Sequence, residues 1–417
     1  MSKLVISGGR KIDGTILAHG AKNSALPLLA ATLLCKGESI LHNCPNLSDV
    51  DAAIKILNYL GCYCKREGNT VTVNSSVVTK NEIPDDLMRE MRSSIVFLGA
   101  IIGRTGGAIV SSPGGCELGP RPIDLHISAL KKMGVTIEEE HGFLKCSAID
   151  GIIGNDITLQ FPSVGATENI ILAAVLAKGE TVIHNAAKEP EIVDLAEFLN
   201  KCGANIFGAG NDTVRIVGVD KIGPAEHYVI PDRIEVATYL AAAAVTGSKV
   251  NVKKVNPEHM RATLSIFNEC GCVLSVGDEE ITIERNKRLL SVPMIKTMVY
   301  PGFPTDAGPP ILTMLALADS STLFIENIFQ NRFKYIDELQ RLGAKIRTYS
   351  NVALVESCKK FMGAKTAATD LRGGAALVVA ALAAEGITEI DNVYHIDRGY
   401  ENIERCFSNL GADIKRV

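Results

Sequence analysis

The feature that most constrains the fold of this 417-residue chain is a sixfold internal repeat. Similar fragments place a glycine at positions 61, 134, 203, 271, 343 and 411, with gaps of 73, 69, 68, 72 and 68 residues. Each glycine follows an amphipathic stretch, such as DLAEFLNKCG, and an alternating stretch typical of a strand comes after it. We therefore expect each glycine to end a helix and the chain to consist of six copies of one supersecondary unit.

A second helix is predicted earlier in every unit, and it is apolar on most of its sides. Examples are NSALPLLAATLL, ATENIILAAVLA and GAALVVAALAAEG. Because helices that are apolar all round are buried, the other elements of each unit must cover them. The pattern predicts an α/β fold in which βαβαββ-like units wrap their sheets around buried helices. The chain is too long for one ordinary core, so we expect two domains of three units each.

Composition narrows the class of protein. The formal net charge of −4 argues against nucleic-acid binding, and no apolar run is long enough to span a membrane. The eleven cysteines form no CxxC pair, which indicates a reduced, cytoplasmic protein without a zinc site. No Walker, dinucleotide or HExxH motif is present, so we expect neither a metal nor a cofactor.

The starts of the buried helices carry most of the charged candidates. A helix N-terminus presents free N–H groups and a positive dipole end, and lysine or arginine beside it makes an anion site. The sequence therefore predicts a cationic centre for a small acidic substrate. The candidates at these positions are Lys22-Asn23, Arg92-Ser93, Thr167-Glu168, Asp232-Arg233, Asp306 and Arg372-Gly373, and the later loops of the units add Arg121, Arg332 and Arg398.

Cys116 lies in the stretch SSPGGCELGP, residues 111–120, whose three glycines and two prolines exclude regular helix or central strand. A free loop thiol without a role is the ordinary interpretation of such a cysteine. The two preceding glycines and nearby Arg121 favour a thiolate instead, because a guanidinium and loop amides stabilise negative charge on sulfur. Cys116 is therefore a candidate reaction-centre thiol.

At this point a family resemblance can be stated. The stretches GAKNSALPLLAATLL, GGCELGPRPIDLHISALKKMG, PSVGATENIILAA, PDRIE, YPGFPTD, TDLRGGAALVVAAL and HIDRGYENIE resemble, in order, the UDP-N-acetylglucosamine 1-carboxyvinyltransferase family. The resemblance implies a two-domain inside-out α/β barrel with three repeats in each domain. It also implies one domain over residues 22–230, a second over residues 1–21 and 231–417, and an active site in the cleft between them.

The resemblance implies a reaction as well as a fold. Phosphoenolpyruvate would donate its enolpyruvyl group to the 3′-hydroxyl of UDP-N-acetylglucosamine through a tetrahedral ketal, with release of phosphate, as the first committed step of peptidoglycan synthesis. Cys116 would protonate the donor and react with the inhibitor fosfomycin, and Asp306 would deprotonate the hydroxyl.

The same resemblance assigns the binding residues. Catalytic roles fall on Cys116, Asp306, Lys22 and Arg398. Contacts to phosphoenolpyruvate fall on Lys22, Asn23, Arg121, Arg372 and Arg398. Contacts to the nucleotide sugar fall on Asn23, Arg92, Arg121, Pro122, Ile123, Asp124, Leu125, Ser163, Val164, Gly165, Asp306 and Ile328.

Two alternatives remain open from the sequence. The 3-phosphoshikimate 1-carboxyvinyltransferases share the fold and the donor but lack the loop that carries Cys116. A non-catalytic paralogue that binds the nucleotide sugar is the other, because Gly308 stands where the family has glutamine and Val236-Ala237 and Gln330 also depart from its pattern.

Overall fold

The computed structural model describes residues 2–91, 93–111 and 123–417. Thirteen α-helices lie in these ranges: α1 Lys22–Thr32, α2 Ser48–Leu60, α3 Asp85–Glu90, α4 Phe97–Thr105, α5 Asp124–Lys132, α6 Val164–Ala174, α7 Pro190–Lys201, α8 Arg233–Thr246, α9 Arg261–Glu269, α10 Gly308–Leu315, α11 Ile336–Arg341, α12 Leu371–Ala383 and α13 Ile403–Asn409. Short 3₁₀ helices occur at Ser94–Val96, Pro257–Met260, Thr305–Ala307, Arg332–Tyr335 and Val393–Arg398.

The described residues also form 24 strands: β1 Leu4–Ser7, β2 Asp13–Leu17, β3 Glu38–His42, β4 Tyr63–Glu67, β5 Thr70–Asn74, β6 Glu82–Ile83, β7 Gly107–Ser111, β8 Thr136–Glu140, β9 Phe143–Ser147, β10 Asp156–Thr158, β11 Glu180–His184, β12 Asn205–Phe207, β13 Thr213–Val217, β14 Glu226–Tyr228, β15 Lys249–Lys253, β16 Val273–Val276, β17 Glu280–Glu284, β18 Met294–Lys296, β19 Thr322–Ile325, β20 Lys345–Tyr349, β21 Val352–Glu356, β22 Lys365–Ala367, β23 Ile387–Asp391 and β24 Asp413–Arg416.

These strands form six four-stranded sheets with one shared order. In the sheet β18-β19-β21-β20, the first two strands are parallel and the other neighbours are antiparallel. A buried helix connects the parallel pair, as α10 connects β18 to β19, and an amphipathic helix leads to the final hairpin. The structure therefore confirms the predicted βαβαββ unit.

The six glycines that revealed the repeat all adopt positive φ, between 80° and 107°. Each lies directly after an amphipathic helix or one residue further on, where a left-handed residue lets the chain turn into the next strand. This observation confirms the helix ends expected from the sequence.

The buried helices fill the centre of each unit of the structure. In α8, every residue from Ile234 to Val245 is buried, and in α12 the same holds from Arg372 to Leu382. Alanine dominates both segments because small side chains let helices covered on every side pack closely. The helices α8, α10 and α12 contact one another in one hydrophobic core, and α1, α4 and α6 belong to a second core.

Three of the sheets contain a strand from a distant part of the sequence. The first repeat receives β14 as its parallel edge, and the fourth receives β2. The sixth sheet takes β1 between β23 and β24, with Leu4 opposite both Ile390 and Arg416. Each set of three repeats is therefore a closed ring rather than a simple tandem array.

The chain divides into two compact units. Among the described residues, one unit comprises the segment up to His19 with Pro231–Val417, and the other runs from Gly20 to Ile230. The first boundary lies two residues before the expected one at 21/22. Ala21 belongs with the second unit because its N–H donates to the Ile230 carbonyl at 2.7 Å. No helix in the described ranges is both long and apolar enough to cross a membrane.

His19, the last residue of its segment, is held by a carboxylate of α8. Its backbone N–H and Nδ1 lie 2.9 and 2.8 Å from the two oxygens of Glu235, which is buried. Burial lowers the pKa of His19, but the hydrogen bond and the charges of Glu235, Glu401 and Asp232 outweigh it and raise the pKa to about 9. His19 is therefore protonated at neutral pH.

A pH dependence of stability follows from this raised pKa. Because the folded state binds the proton more tightly, the stabilisation is complete below about pH 6.5 and is lost as the pH rises through about 9. We expect His19→Gln to cost about 1–3 kcal/mol at pH 6.5 and much less at pH 10. Thermal unfolding followed by circular dichroism measures the difference. His184→Gln, which removes an exposed pair with Asp156, is the control and should change Tm little at either pH.

Candidate active site

Four of the predicted site residues, Arg92, Cys116, Arg121 and Pro122, lie outside the described residues. The remaining ones fall into two groups, one in each compact unit. Each group is described separately.

The first group is built around Asp306, in the 3₁₀ turn that leads into α10. Arg332 donates to its Oδ1 at 2.8 Å, and Arg372 donates to its Oδ2 at 3.3 Å through Nη2. The side chain of Asp306 is 26% exposed, whereas those of Arg332 and Arg372 are 3% and 2% exposed. The cluster therefore offers a carboxylate to a ligand, with two buried guanidinium groups behind it that stabilise its anionic form.

Arg372 lies in the first turn of the buried helix α12, whose N-cap is Asp370. Burial lowers the pKa of Arg372, and the neighbouring Tyr400, Asp306 and Asp232 more than reverse this effect, so the pKa is raised. The guanidinium lies 5.3 Å from the centre of the Tyr400 ring. Its Nη1 is buried and makes no hydrogen bond to any described residue. A buried donor of this kind is suited to an anionic ligand, because an unmade hydrogen bond to a charged group is costly.

Arg398 ends the 3₁₀ helix Val393–Arg398, two residues before Tyr400. The neighbouring Asp397 accepts two hydrogen bonds from Arg416, at 3.0 and 2.7 Å, which tie this short helix to β24. Arg398 is half-buried. Since Tyr400 also contacts Arg372, the structure brings the segments that carry these two arginines together.

Ile328 lies in the loop after β19. Its backbone N–H donates to Oε1 of Glu326 at 2.8 Å, and the hydroxyl of Thr305 donates to Oε2 of the same carboxylate at 2.8 Å. Glu326 therefore connects the Ile328 loop to the turn that carries Asp306.

The second group begins with Lys22, the first residue of α1. Its Nζ lies 2.6 Å from Oδ2 of Asp49, and the two side chains are only 7% and 1% exposed. A buried ion pair of this kind holds both charged groups in fixed positions. Asn23, the next residue, is exposed.

A buried polar network fixes the start of α1. Ser24 donates to Asp194 of α7, and Asp194 also lies 2.8 Å from Nε2 of His227 in β14. Lys201 lies 2.9 Å from Nδ1 of that histidine. Because an ammonium group only donates, Nδ1 accepts and the proton of His227 is on Nε2.

The starts of α5 and α6 are also joined. Asn169 accepts from the Gly99 N–H at 2.6 Å, which orients its amide, and donates to Nδ1 of His126 at 3.0 Å. Burial lowers the pKa of His126 to about 4, so the ring is neutral at pH 7. A side chain at Gly165 would meet this ring at 3.1 Å. Ile123, Asp124 and Leu125 therefore lie close to the N-terminus of α6.

Ser163 is the N-cap of α6 and accepts a hydrogen bond from the Ala166 N–H. Val164 and Gly165 form the first turn and are partly exposed. Glu168 follows inside the helix. Burial raises its pKa well above the ordinary value, and the charges of Glu191 and Glu189 add to the effect. The carboxyl group of Glu168 near the start of α6 therefore holds its proton more tightly than an ordinary glutamate.

The sequence analysis did not single out Asp49, Asp194 or Glu326. Asp49 and Asp194 look like ordinary acids of amphipathic helices, and only their positions on the buried faces distinguish them. Arg332 was predicted as one of the cationic candidates, but its hydrogen bond to Asp306 was not predicted. No group of three or more histidine, cysteine or acidic residues within the described ranges is placed to hold a metal ion.

The Lys22–Asp49 pair gives a testable prediction. Removing one member of a buried ion pair leaves a charge without its counterion, which typically costs about 3–5 kcal/mol. We expect Asp49→Ala to lower the stability of the protein by about this amount in thermal or urea unfolding.

Asp51→Ala is the matched control, because Asp51 lies in the same turn of α2, its side chain is 54% exposed, and its contact to Arg66 is long, at 3.7 Å. It should cost less than about 1 kcal/mol. Equal losses for the two variants would contradict the buried pairing.

Comparison with known proteins covers the whole chain. The sequence pattern of the EPSP synthase (3-phosphoshikimate 1-carboxyvinyltransferase) family matches residues 6–407. UDP-N-acetylglucosamine 1-carboxyvinyltransferase 2 of Caldanaerobacter subterraneus subsp. tengcongensis is 51% identical over 417 residues, with 100% of both chains covered. UDP-N-acetylglucosamine 1-carboxyvinyltransferase 1 of Symbiobacterium thermophilum is 47% identical over 100% of this chain and 95% of its own.

Two solved structures show the same fold. The enolpyruvyl transferase NikO from Streptomyces tendae matches with a TM-score of 0.90 at 25% identity, covering 100% of this chain and 99% of that chain. The EPSP synthase of Acinetobacter baumannii matches with a TM-score of 0.76 at 17% identity, with 100% of both chains covered. These likenesses confirm the two-domain inside-out α/β fold. The chain therefore belongs to the EPSP synthase family and, within it, to the UDP-N-acetylglucosamine 1-carboxyvinyltransferases.

Proposed function

We propose that this protein transfers the enolpyruvyl group of phosphoenolpyruvate to the 3′-hydroxyl of UDP-N-acetylglucosamine and releases phosphate, the step that commits the sugar to peptidoglycan synthesis. The observation that carries the proposal is the full-length identity of about half of all residues with enzymes named for this activity. The Asp306 cluster supplies a carboxylate suited to the acceptor hydroxyl, with buried cations next to it.

The donor is a small anion with a phosphate and a carboxylate. We assign its binding to Lys22, Arg372 and Arg398, together with Asn23 and Arg121. The buried, unpartnered Nη1 of Arg372 supports this assignment, because an oxyanion would satisfy it. The family resemblance implies that residues of both compact units contact the substrates in one cleft, and we include this arrangement in the proposal.

The acceptor needs a base at its 3′-hydroxyl. We assign this role to Asp306, whose carboxylate is partly exposed while its two arginine partners are not. The remaining contacts to the nucleotide sugar are assigned to the starts of α1, α5 and α6, to the loop after β19, and to Arg92, Arg121 and Pro122, which lie outside the described residues. They comprise Asn23, Arg92, Arg121, Pro122, Ile123, Asp124, Leu125, Ser163, Val164, Gly165 and Ile328.

The reaction then proceeds by addition and elimination. Cys116 gives its proton to C3 of the donor, the sugar oxygen bonds to C2, and Asp306 takes the hydroxyl proton. The resulting ketal loses a proton from C3 to the Cys116 thiolate as the bond between C2 and the phosphate oxygen breaks, which restores the double bond. The proton held by Asp306 passes to the leaving phosphate, so both groups return to their starting states. This sequence of steps requires neither a metal nor a cofactor, and we place the enzyme in the cytoplasm because its ten described cysteines are free thiols.

The direct test is phosphate release measured with both substrates and with each one omitted. We expect release only when both are present, and 3-phosphoshikimate should not replace the nucleotide sugar. Thermal stabilisation by the nucleotide sugar without any turnover would instead indicate a non-catalytic binding protein.

Arg398→Ala should lower kcat/KM for phosphoenolpyruvate roughly 30- to 1,000-fold, because truncating one partner of a desolvated charge pair costs about 2–4 kcal/mol. Arg405, which is exposed in nearby α13, provides the matched control. Arg405→Ala should leave both kinetic constants within about twofold of wild type. An unchanged kcat/KM in Arg398→Ala would overturn the assignment of Arg398 to the donor.

Cys116 should be the thiol that reacts with fosfomycin, an epoxide phosphonate that resembles the donor in size and charge. Burial raises the pKa of the thiols of Cys62, Cys146 and Cys406 to about 11, so these groups are poor nucleophiles at neutral pH. Mass spectrometry after brief treatment should find one adduct, on the peptide that contains Cys116, and none in Cys116→Asp. Labelling spread over several cysteines would contradict a reaction-centre role for Cys116.

A further inference from the structure

Glu326 occupies a position that has a different structural role in the other repeats. In the four other repeats whose corresponding residues are described, the residue directly after the inner strand is Asn43, Asn185, Lys254 or Asn392, and all four have φ between 55° and 57°. In the fifth repeat this position is Glu326, which does not have positive φ.

The asparagines show what is ordinarily needed at this position. The side-chain amide of Asn43 donates to the Val229 carbonyl, and that of Asn185 donates to the Leu159 carbonyl. In each case the accepting residue directly follows the parallel edge strand. In the fifth repeat the corresponding carbonyl is that of Thr297, and it accepts from Asn327, one residue later, at 3.1 Å. The structural hydrogen bond is thus retained by a neighbouring residue, and Glu326 is free for a different role.

The carboxylate of Glu326 is 2% exposed and accepts four hydrogen bonds. Oε1 accepts from Thr297 at 2.9 Å and from the backbone N–H groups of Ile328 and Phe329 at 2.8 and 3.1 Å. Oε2 accepts from Thr305 at 2.8 Å. No lysine or arginine in the described ranges forms an ion pair with it. A carboxylate that is buried without a cation is costly unless hydrogen bonds satisfy it. The hydrogen bonds of Glu326 come from separate segments of the chain, so this one side chain fixes those segments relative to one another.

Those two segments are the ones assigned to the acceptor. Thr305 precedes Asp306, whose carboxylate accepts a hydrogen bond from Arg332, and Arg332 also donates to the Thr305 carbonyl at 3.0 Å. Ile328 belongs to the loop assigned to the nucleotide sugar. Glu326 is the described residue that hydrogen-bonds to both of these segments.

We propose that Glu326 is a positioning residue, which fixes the Asp306 carboxylate relative to the Ile328 peptide and so aligns the base with the sugar hydroxyl. The role rests on the proposed function. Since a misplacement of about 1 Å can cost roughly a hundredfold in rate, loss of one of its hydrogen bonds should act mainly on kcat.

The link to Asp306 can be tested without removing the buried carboxylate. Thr305→Val deletes the hydroxyl that contacts Oε2, and Thr305→Ser keeps it. We expect Thr305→Val to lower kcat roughly tenfold with KM for phosphoenolpyruvate changed by less than about twofold. Thr305→Ser should restore kcat to within about twofold of wild type.

Thr313→Val is the matched control, because Thr313 is another buried threonine of the same unit, and its hydroxyl bonds only to the Pro309 carbonyl of its own helix. It should leave kcat unchanged, and Tm of every variant is measured alongside. The positioning role is overturned if Thr305→Val has the kcat of wild type, or if Thr313→Val lowers kcat as much as Thr305→Val does. Absence of phosphate release by the wild-type protein would overturn the proposed function itself, and the positioning role with it.

Discussion

The architecture depends on the burial of six apolar helices on nearly every side. A helix covered on every side cannot carry charged groups along its length without leaving them in a dry interior, so polar side chains are confined to its ends. In α8 and α12, the residue before the first helical turn is an aspartate that accepts two backbone N–H groups. Most of the residues assigned to the proposed site accordingly lie at helix N-termini, and the sheets outside serve mainly to enclose the core.

Charged side chains at these helix ends form ion pairs with other side chains of the protein. Lys22 is paired with Asp49, and Asp306 lies between two arginines. Such pairs contribute little net stability, since desolvation offsets much of the attraction, but they fix the position and ionisation of each group. A site prepared in this way needs little reorganisation when charge develops in the reaction.

The sequence predicted the repeat unit, the buried helices and the concentration of charge at their starts, because periodicity and helix-ending glycines are local signals. It did not predict the strand exchange that places β14 in the first sheet and β2 in the fourth, since strands of three to five residues carry no information about their partners. The pairing of Lys22 with Asp49 was also missed, because the two residues are 27 positions apart and nothing local marks Asp49 as buried. Glu326 was hidden for a related reason. Only a comparison of the repeats shows that Glu326 directly follows the inner strand, where three of the other described repeats have an asparagine with positive φ.

The closed ring of the unit that contains β1 and β2 has a consequence for synthesis on the ribosome. The unit that ends at Ile230 has all its strands once that residue has emerged, so it can fold while the remainder is still being translated. By contrast, β2 pairs with β15, and β1 must wait for β23 and β24, which are made almost 400 residues later. The early strands β1 and β2 are thus among the last to be incorporated. During that interval the backbone N–H and C=O groups of β1 lack their partners in the sheet, so mispairing with other strands would begin most readily at this segment.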